Sequence, residues 1–216
     1  MKPLLGKKYL LCYNSFQALG WYYIVISLFF RSFLGVSSLE TTFQALGSIV
    51  CTLQVFAFLE IVHVMMGIVK SSLVPTFAQV IGRNTVLLAL CYTEEVQVHW
   101  GVALLFLFWG LSELIRFPYY IFNPAPQFLT WLRYNAFIVL YPIGFGAENL
   151  LWYHMLPVIK EYGILSLSMP NSLNFAFNFY YYALVWILIT LLGFPKQYLY
   201  MFSLRKKKMM VPEKAD

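Results

Sequence analysis

The sequence has few charged residues, and this scarcity limits the class of protein. Only 11% of the 216 residues are charged, whereas 61% are hydrophobic and 19% are aromatic. A soluble domain averages roughly 45–50% apolar and about 25% charged residues. The composition therefore excludes a soluble protein and predicts an integral membrane protein. Because a membrane-spanning helix takes roughly 20 residues, the chain has room for about six spans and for no soluble catalytic domain.

Cysteine is also scarce, and its spacing fits neither a metal site nor a disulfide. Cys12, Cys51 and Cys91 form no Cys-x-x-Cys motif and no cysteine–histidine pair. The residues six positions after the cysteines are Ala18, Ala57 and Gln97. A phosphatase-type phosphate loop requires arginine at that position, so this chemistry is excluded. We expect three buried apolar thiols, no metal and no cofactor.

Apolar segments separated by proline and asparagine predict an all-α integral membrane protein with six transmembrane helices. The predicted spans are residues 9–34, 43–69, 77–92, 98–122, 128–159 and 173–202. The first is too long for the core of a cleavable signal peptide, so we expect it to be retained. Arg83 and Asn84 interrupt the third. We interpret residues 1–216 as a single six-helix domain with a basic tail at about 203–216.

Lysine and arginine are concentrated at the two ends of the chain. Lys2, Lys7 and Lys8 precede the first span, and residues 205–208 follow the last with one arginine and three lysines. The positive-inside rule therefore places both termini in the cytosol, which requires an even number of spans. We expect the net charge of +6 to set this topology and to attract anionic lipid headgroups rather than nucleic acid. Attraction of a phosphorylated substrate is the alternative.

Glu60 and His63 lie inside the second segment, three residues apart, so they share one face of a helix. Glu60 is a candidate general base, or a partner that orients the histidine. A structural hydrogen-bonded pair between helices is the alternative. Two ligands are too few for a metal site, and the sequence shows no third.

Three arginines lie near the predicted cytosolic ends of the spans. Arg83 is one turn from Gln79, Arg116 is three residues from Glu113, and Arg133 opens the fifth segment. Ion pairs that neutralise Arg116 and Glu113 are one interpretation. The other is that Arg83, Arg116 and Arg133 form a cluster for phosphate groups, since the guanidinium group suits that geometry.

Residues 131–149 are apolar enough for a membrane but contain Arg133, Tyr134, Tyr141 and Glu148. An ionisable side chain at bilayer depth is costly, so function is the default hypothesis. Tyr141 and Glu148 are seven residues apart, so they fall on nearly the same face, about 10 Å apart along the helix axis. Proline 142 and two glycines between them predict a locally loosened helix. Catalysis, a proton relay and a structural hydrogen bond remain open for this pair.

These residues together resemble one family, the very-long-chain (3R)-3-hydroxyacyl-CoA dehydratases, once called protein tyrosine phosphatase-like proteins. The resemblance extends from about residue 13 to residue 207. The matching motifs, in chain order, are Glu60-x-x-His63 followed by Gly67 and Ser71, Gln79-x-x-x-Arg83, Glu113-x-Ile115-Arg116 with Tyr119-Tyr120, Arg133-Tyr134, Leu140-Tyr141-Pro142-x-Gly144-x-x-x-Glu148, Pro170-Asn171 with Asn174-Phe175-x-Phe177, and Phe194-Pro195 with Tyr200-Met201. Each motif is weak alone, but their order along the chain is specific.

The resemblance implies a hydro-lyase of the endoplasmic reticulum membrane. Such an enzyme dehydrates a very-long-chain (3R)-3-hydroxyacyl-CoA to the trans-2-enoyl-CoA, the third step of fatty-acid elongation, beside the condensing enzyme and two reductases. It implies Tyr141 and Glu148 as the catalytic pair, without deciding which is acid and which is base. The candidates for holding the CoA phosphates or supporting the site are Arg83, Arg116, Arg133, Tyr134, Glu60, His63 and Glu113.

Two positions depart from the family pattern: Asn178 replaces the usual aspartate, and Gly82 replaces a frequent serine. Two other functions were weighed. A catalytically inactive membrane scaffold for elongation enzymes is disfavoured because both Tyr141 and Glu148 are present. A transporter or channel is disfavoured because the sequence has no evident inverted repeat.

Overall fold

The computed structural model describes residues 3–122, 124–172 and 174–209. Within these ranges the chain is helical, apart from turns, short connections and one isolated antiparallel bridge between Leu167 and Phe177. The helices are α1 (Pro3–Phe33), α2 (Val36–Glu40), α3 (Thr42–Phe56), α4 (Phe58–Met65), α5 (Leu73–Cys91), α6 (Glu94–Gln97), α7 (Gly101–Ile121), α8 (Gln127–Asn135), α9 (Phe137–Tyr162) and α10 (Phe179–Met209). Lys2, Leu173 at the start of the sixth predicted span, and the end of the basic tail (210–216) lie outside the described residues.

Four stretches of the described chain are long and apolar enough to cross a membrane. They are Val36–Met65, Leu73–Cys91, Gly101–Ile121 and Phe179–Met209. Helices α1 and α9 are also long, with 31 and 26 residues, but do not reach the hydropathy of these four. The fold is thus all-helical and fits a multi-pass membrane protein, whereas six spans and cytosolic termini remain predictions.

The second and fifth predicted segments are each divided, contrary to the expectation of continuous helices. The second is interrupted at Ala57, between α3 and α4. There the Glu60 N–H bonds to the Ala57 carbonyl (2.9 Å), three residues back, which tightens the turn. A further break, at Thr41 between α2 and α3, lies just before the predicted segment. Here the Arg31 guanidinium donates to the Thr41 hydroxyl (2.6 Å) and to the Ser38 carbonyl, and such side-chain bonds compete with helical backbone bonding.

In the fifth segment, Ala136 separates α8 from α9, so Arg133 and Tyr134 lie on a different helix from Tyr141 and Glu148. The nine residues of α8 include glutamine, threonine, arginine and asparagine, and none is buried. The composition of α8 is therefore less apolar than that of α9.

Helix α9 is continuous through Pro142, where we expected a locally loosened helix. Proline has no N–H, which deprives the Ile138 carbonyl, four residues earlier, of its helical donor. The Tyr198 hydroxyl on α10 donates to that carbonyl at 2.9 Å. A side chain from a neighbouring helix thus replaces the missing backbone bond and joins α9 to α10.

The core lies where α1, α7 and α9 meet, and it extends to α3, α5 and α10. Trp21 and Phe106 are among its fully buried side chains. A Cβ atom at Gly110 of α7 would approach the Val25 Cγ2 atom of α1 to 2.5 Å, so glycine there permits the close contact of these helices. Asn84, which interrupts the third predicted span, stays in α5 by donating to the Gln54 and Val80 carbonyls.

Candidate active site between four helices

A cavity of about 260 Å³ lies between α5, α7, α9 and α10. Its wall is mainly apolar, with polar side chains contributed by each of the four helices. The lining residues are Ala78, Gln79, Gly82, Arg83, Phe108, Trp109, Ser112, Leu140, Tyr141, Gly144, Phe145, Glu148, Trp186, Ile189, Thr190, Gly193, Phe194 and Gln197. A mostly apolar pocket with a few convergent polar groups is the usual form of a small-molecule site.

Both members of the predicted pair, Tyr141 and Glu148, line this cavity. They lie on one face of the continuous helix α9, two turns apart, as their spacing predicts. Gly144 lies between them, and a Cβ atom there would meet only the Phe108 Cβ atom of α7, at 3.8 Å. The absence of a side chain at this position keeps the wall between the phenol and the carboxyl group open.

The carboxyl group of Glu148 is held by a residue that the sequence interpretation did not single out. The indole N–H of Trp109, on α7, donates to Glu148 Oε1 at 2.9 Å. The Arg83 guanidinium lies 5.0 Å from the centre of the Trp109 ring, within the range of a cation–π interaction. The only signal in the sequence was that Trp109 lies one turn before Glu113, on the same helix face.

Arg83, Glu113, Arg116 and Glu60 form an ion-pair network beside the cavity. Glu113 accepts from Arg83 Nη1 at 2.5 Å and from Arg116 Nε at 2.6 Å, and its side chain is only 1% exposed. Arg116 also donates to both oxygens of Glu60, at 2.7 and 2.8 Å. Two carboxylates thus neutralise two guanidinium groups. This arrangement agrees with the ion-pair interpretation of Glu113 and Arg116.

Glu60 and His63 bind different partners, although they lie one turn apart on α4. The Tyr13 hydroxyl donates to Glu60 Oε1 at 3.3 Å, in addition to the contacts from Arg116. His63 Nε2 lies 2.8 Å from the Tyr9 hydroxyl, and its ring is buried. Both residues therefore join α4 to α1, and neither lines the cavity.

Arg133 and Tyr134 lie on α8, apart from the cavity lining. Arg133 Nη2 is 3.5 Å from the Tyr120 hydroxyl, and its guanidinium lies 5.9 Å from that ring. Burial and the neighbouring Tyr119 hydroxyl raise the pKa of Tyr134, so it remains neutral. Among the described residues, Arg133 binds no carboxylate, unlike Arg83 and Arg116.

The two departures from the family pattern have different structural settings. The Asn178 side-chain oxygen accepts from the Tyr180 N–H at 3.0 Å, at the start of α10. This is a helix N-cap contact, which asparagine and aspartate make about equally well. Gly82 lines the cavity, and a Cβ atom there would lie 3.3 Å from the Trp186 ring. A serine at this position would therefore crowd the Trp186 ring on α10.

The expectation of three buried apolar thiols is wrong. Cys12 and Cys91 are exposed, and Cys51 is intermediate. The Cys51 and Cys91 sulfur atoms are 3.7 Å apart, joining α3 and α5. Forty residues separate them in the chain, so their spacing could not reveal the contact. Among the described residues, no group of three or more histidine, cysteine, aspartate or glutamate side chains could hold a metal ion.

A carboxyl group and a phenol on a largely apolar wall are suited to moving protons on an organic substrate. Together with the fold, these features define an all-helical protein with helices long and apolar enough to cross a membrane and a candidate acid–base site between them. The chain belongs to the protein tyrosine phosphatase-like (PTPLA) family, whose family model matches residues 54–211. No solved structure matches the chain.

Its curated relatives share most of the chain. It is 36% identical over 210 residues to a very-long-chain (3R)-3-hydroxyacyl-CoA dehydratase of Gallus gallus, covering 95% of this chain and 58% of the relative. It is 35% identical to very-long-chain (3R)-3-hydroxyacyl-CoA dehydratase 2 of Homo sapiens, with 94% and 81% covered. It is 36% identical to the dehydratase hpo-8 of Caenorhabditis elegans, with 92% and 93% covered.

Proposed function

We propose that this protein dehydrates very-long-chain (3R)-3-hydroxyacyl-CoA to the trans-2-enoyl-CoA, the third step of fatty-acid elongation. The observation that carries the proposal is the presence of Tyr141 and Glu148 on one wall of a largely apolar cavity. The relatives named above are dehydratases of this class, and the chain shares about a third of its residues with them.

The reaction removes a proton from C2 and the hydroxyl group from C3, so it needs a base and an acid. We assign the base to Glu148, which takes the C2 proton. Tyr141 then donates a proton to the departing C3 oxygen, so that water leaves and the C2–C3 double bond forms. The reverse assignment uses the same two groups. No redox or metal chemistry is required for this balance.

The cavity volume of about 260 Å³ is smaller than the roughly 300–1,000 Å³ of a pocket for a drug-sized ligand. It therefore suits the reacting end of the substrate, and the acyl tail would continue between apolar helices. The CoA group, which is large and anionic, would remain at the cytosolic end. There Arg133 is the best candidate for a phosphate contact, because Arg83 and Arg116 already bind carboxylates.

The catalytic pair is tested with purified protein in detergent and a long-chain (3R)-3-hydroxyacyl-CoA, with the enoyl-CoA product followed by mass spectrometry. Wild type should turn over, whereas Tyr141→Phe and Glu148→Gln should each lose activity by a factor of at least about 100, since positioned acid–base groups contribute about 10²–10⁴-fold. The double variant should be little worse than either single one if the pair acts as a unit.

Tyr153→Phe is a matched control, because Tyr153 lies on the same helix but is 74% exposed. It should retain full activity. A folded wild type that is inactive on every chain length would instead favour the noncatalytic scaffold. Loss of activity in the control to the same extent as in Tyr141→Phe would remove the argument for the pair.

The role of Arg133 is tested separately. Arg133→Gln should raise the KM for the acyl-CoA several-fold and leave kcat nearly unchanged, because a phosphate contact far from the reacting carbons binds ground state and transition state alike. An unchanged KM would assign Arg133 to the packing of α8 against Tyr120.

We also propose six spans with both termini in the cytosol and residence in the endoplasmic reticulum membrane. Helices α1 and α9 would be the two further spans, and the lysines and arginines at both ends support the orientation. In this location the protein would work beside the condensing enzyme and the two reductases of elongation.

A further inference from the structure

We propose that Trp109 is a positioning residue that holds the Glu148 carboxylate by one oxygen and presents the other to the substrate. The inference rests on the proposed function, because it deepens the role of Glu148. The Trp109 indole N–H donates to Glu148 Oε1 at 2.9 Å. Among the described residues, Glu148 Oε2 accepts no hydrogen bond, while the Glu148 side chain lines the cavity. One oxygen is therefore occupied, and the other is available for the C2 proton.

The indole group is itself held firmly, which a positioning role requires. Trp109 is only 3% exposed. Its neighbour Gly110 allows the close contact between α7 and α1, so the backbone at this point has little freedom to shift. The Arg83 guanidinium lies over one face of the Trp109 ring, 5.0 Å from the centre of the ring. Arg83 is anchored in turn by Glu113 at 2.5 Å and by the Ser112 hydroxyl at 3.2 Å.

These contacts form a series that runs from Glu113 through Arg83 and Trp109 to Glu148, and each residue fixes the position of the next. The buried ion pair locates the guanidinium, the guanidinium covers the indole ring, and the indole N–H directs the carboxylate. A catalytic group must be held within about 0.5 Å of its productive geometry by such supporting contacts. Without the indole N–H, the carboxylate would rotate among several positions, and few of them would reach C2.

The expected kinetic consequence is a loss in kcat rather than in substrate binding. Trp109→Phe retains an aromatic ring and removes only the N–H donor and part of the ring area. We expect kcat to fall by about 10- to 100-fold, the range for one hydrogen bond to a charged group. KM should stay within about twofold, because the orientation of Glu148 matters for proton removal and not for holding the acyl chain.

Trp152→Phe is the matched control. Trp152 lies on α9, is also 3% exposed, and does not line the cavity. It should lose some thermal stability but retain kcat within about twofold. A kcat for Trp109→Phe no lower than that of Trp152→Phe would overturn the inference, and so would a rise in KM that accounts for the whole loss of kcat/KM.

A second replacement deletes the N–H without changing the shape of the ring. Site-specific incorporation of 3-benzothienylalanine at position 109 substitutes sulfur for the indole nitrogen, so packing against Arg83 is retained. The loss of kcat should match that of Trp109→Phe, and an unchanged kcat would overturn the inference even where Trp109→Phe fails to fold.

Wild type and Glu148→Gln are measured in the same series, so that the two proposals fail separately. An inactive wild type, or a fully active Glu148→Gln, overturns the proposed function and this inference with it. An active wild type and an inactive Glu148→Gln, together with an unaffected Trp109→Phe, overturn this inference alone.

Discussion

Replacing Glu113 by glutamine should strongly destabilise the protein, because it leaves buried positive charge without a partner. The Glu113 side chain is 1% exposed, and those of Arg83 and Arg116 are 13% and 12% exposed. Two unit charges about 4 Å apart attract by about 4 kcal/mol at an effective dielectric constant of about 20. The substitution removes two such attractions. Part of this loss of free energy is offset, because the charged carboxylate of Glu113 no longer has to be desolvated. Breaking a buried pair by removing one member costs about 3–5 kcal/mol in total.

The assay is thermal denaturation in detergent, read by the loss of the monodisperse peak in size-exclusion chromatography. For a chain of this size, about 1 kcal/mol corresponds to about 2–4 °C in Tm. The Tm of Glu113→Gln should therefore fall by about 6–20 °C. Glu94→Gln is the control, because Glu94 is exposed at the start of α6, and its Tm should change by less than about 2 °C.

The double variant Glu113→Gln with Arg83→Gln tests the physical cause. It removes one orphaned cation and leaves Arg116 paired with Glu60 as a neutral unit. Its Tm should therefore exceed that of Glu113→Gln alone, since residues in one ion-pair network couple by about 0.5–3 kcal/mol. A Glu113→Gln protein as stable as Glu94→Gln would refute the charge argument, as would a double variant whose loss equals the sum of the single losses.

Two further predictions concern contacts between helices that are distant in sequence. Tyr198→Phe should cost about 1–3 kcal/mol, or about 2–12 °C in Tm, because the Ile138 carbonyl loses the donor that replaces the missing N–H of Pro142. Oxidised glutathione should convert the thiols of Cys51 and Cys91, 3.7 Å apart, into one intramolecular disulfide by thiol–disulfide exchange. Alkylation and intact-mass measurement should then find one free thiol in place of three.

Each of these two predictions has a control variant in the same chain. Tyr200 is on the same helix as Tyr198 and is 50% exposed, so the Tm of Tyr200→Phe should equal that of wild type. Equal Tm values for Tyr198→Phe and Tyr200→Phe would contradict a hydrogen bond from Tyr198 to the Ile138 carbonyl. Cys12→Ser should still form the disulfide, and Cys51→Ser should not. Three free thiols after oxidation of folded wild type would contradict the sulfur contact.

Local pattern was sufficient to predict much of the fold. The third segment was predicted at residues 77–92 and forms α5 from Leu73 to Cys91. The fourth was predicted at 98–122 and forms α7 from Gly101 to Ile121. The boundaries of these two segments fell within a few residues because an apolar run must satisfy its own backbone groups in lipid, which leaves the helix as the available structure. The breaks at Ala57 and Ala136 were missed, because they depend on local hydrogen bonds and polarity rather than on average hydropathy.

From the sequence, the arrangement of the candidate site could be predicted only for residues that lie on the same helix. Tyr141 and Glu148 were placed on one face by their spacing, and both line the cavity. The pairing of Glu113 with Arg116 followed from their separation by three residues. The phosphate cluster of three arginines was the other interpretation of these residues in the sequence. The contact between Arg116 and Glu60, 56 residues apart in the chain, is visible only in the tertiary structure.

The sequence by itself determined the class of protein, its helical composition and its family, because these depend on composition, apolar run length and motifs along the chain. Only the tertiary structure decided which residues meet across helices. Trp109 meets Glu148, Arg83 meets Glu113, and Cys51 meets Cys91, at separations of 39, 30 and 40 residues. Helical periodicity tells which residues share a face of one helix, but not which face of another helix lies opposite. That choice depends on the packing of the whole bundle, including the close contact of α1 with α7 that Gly110 permits.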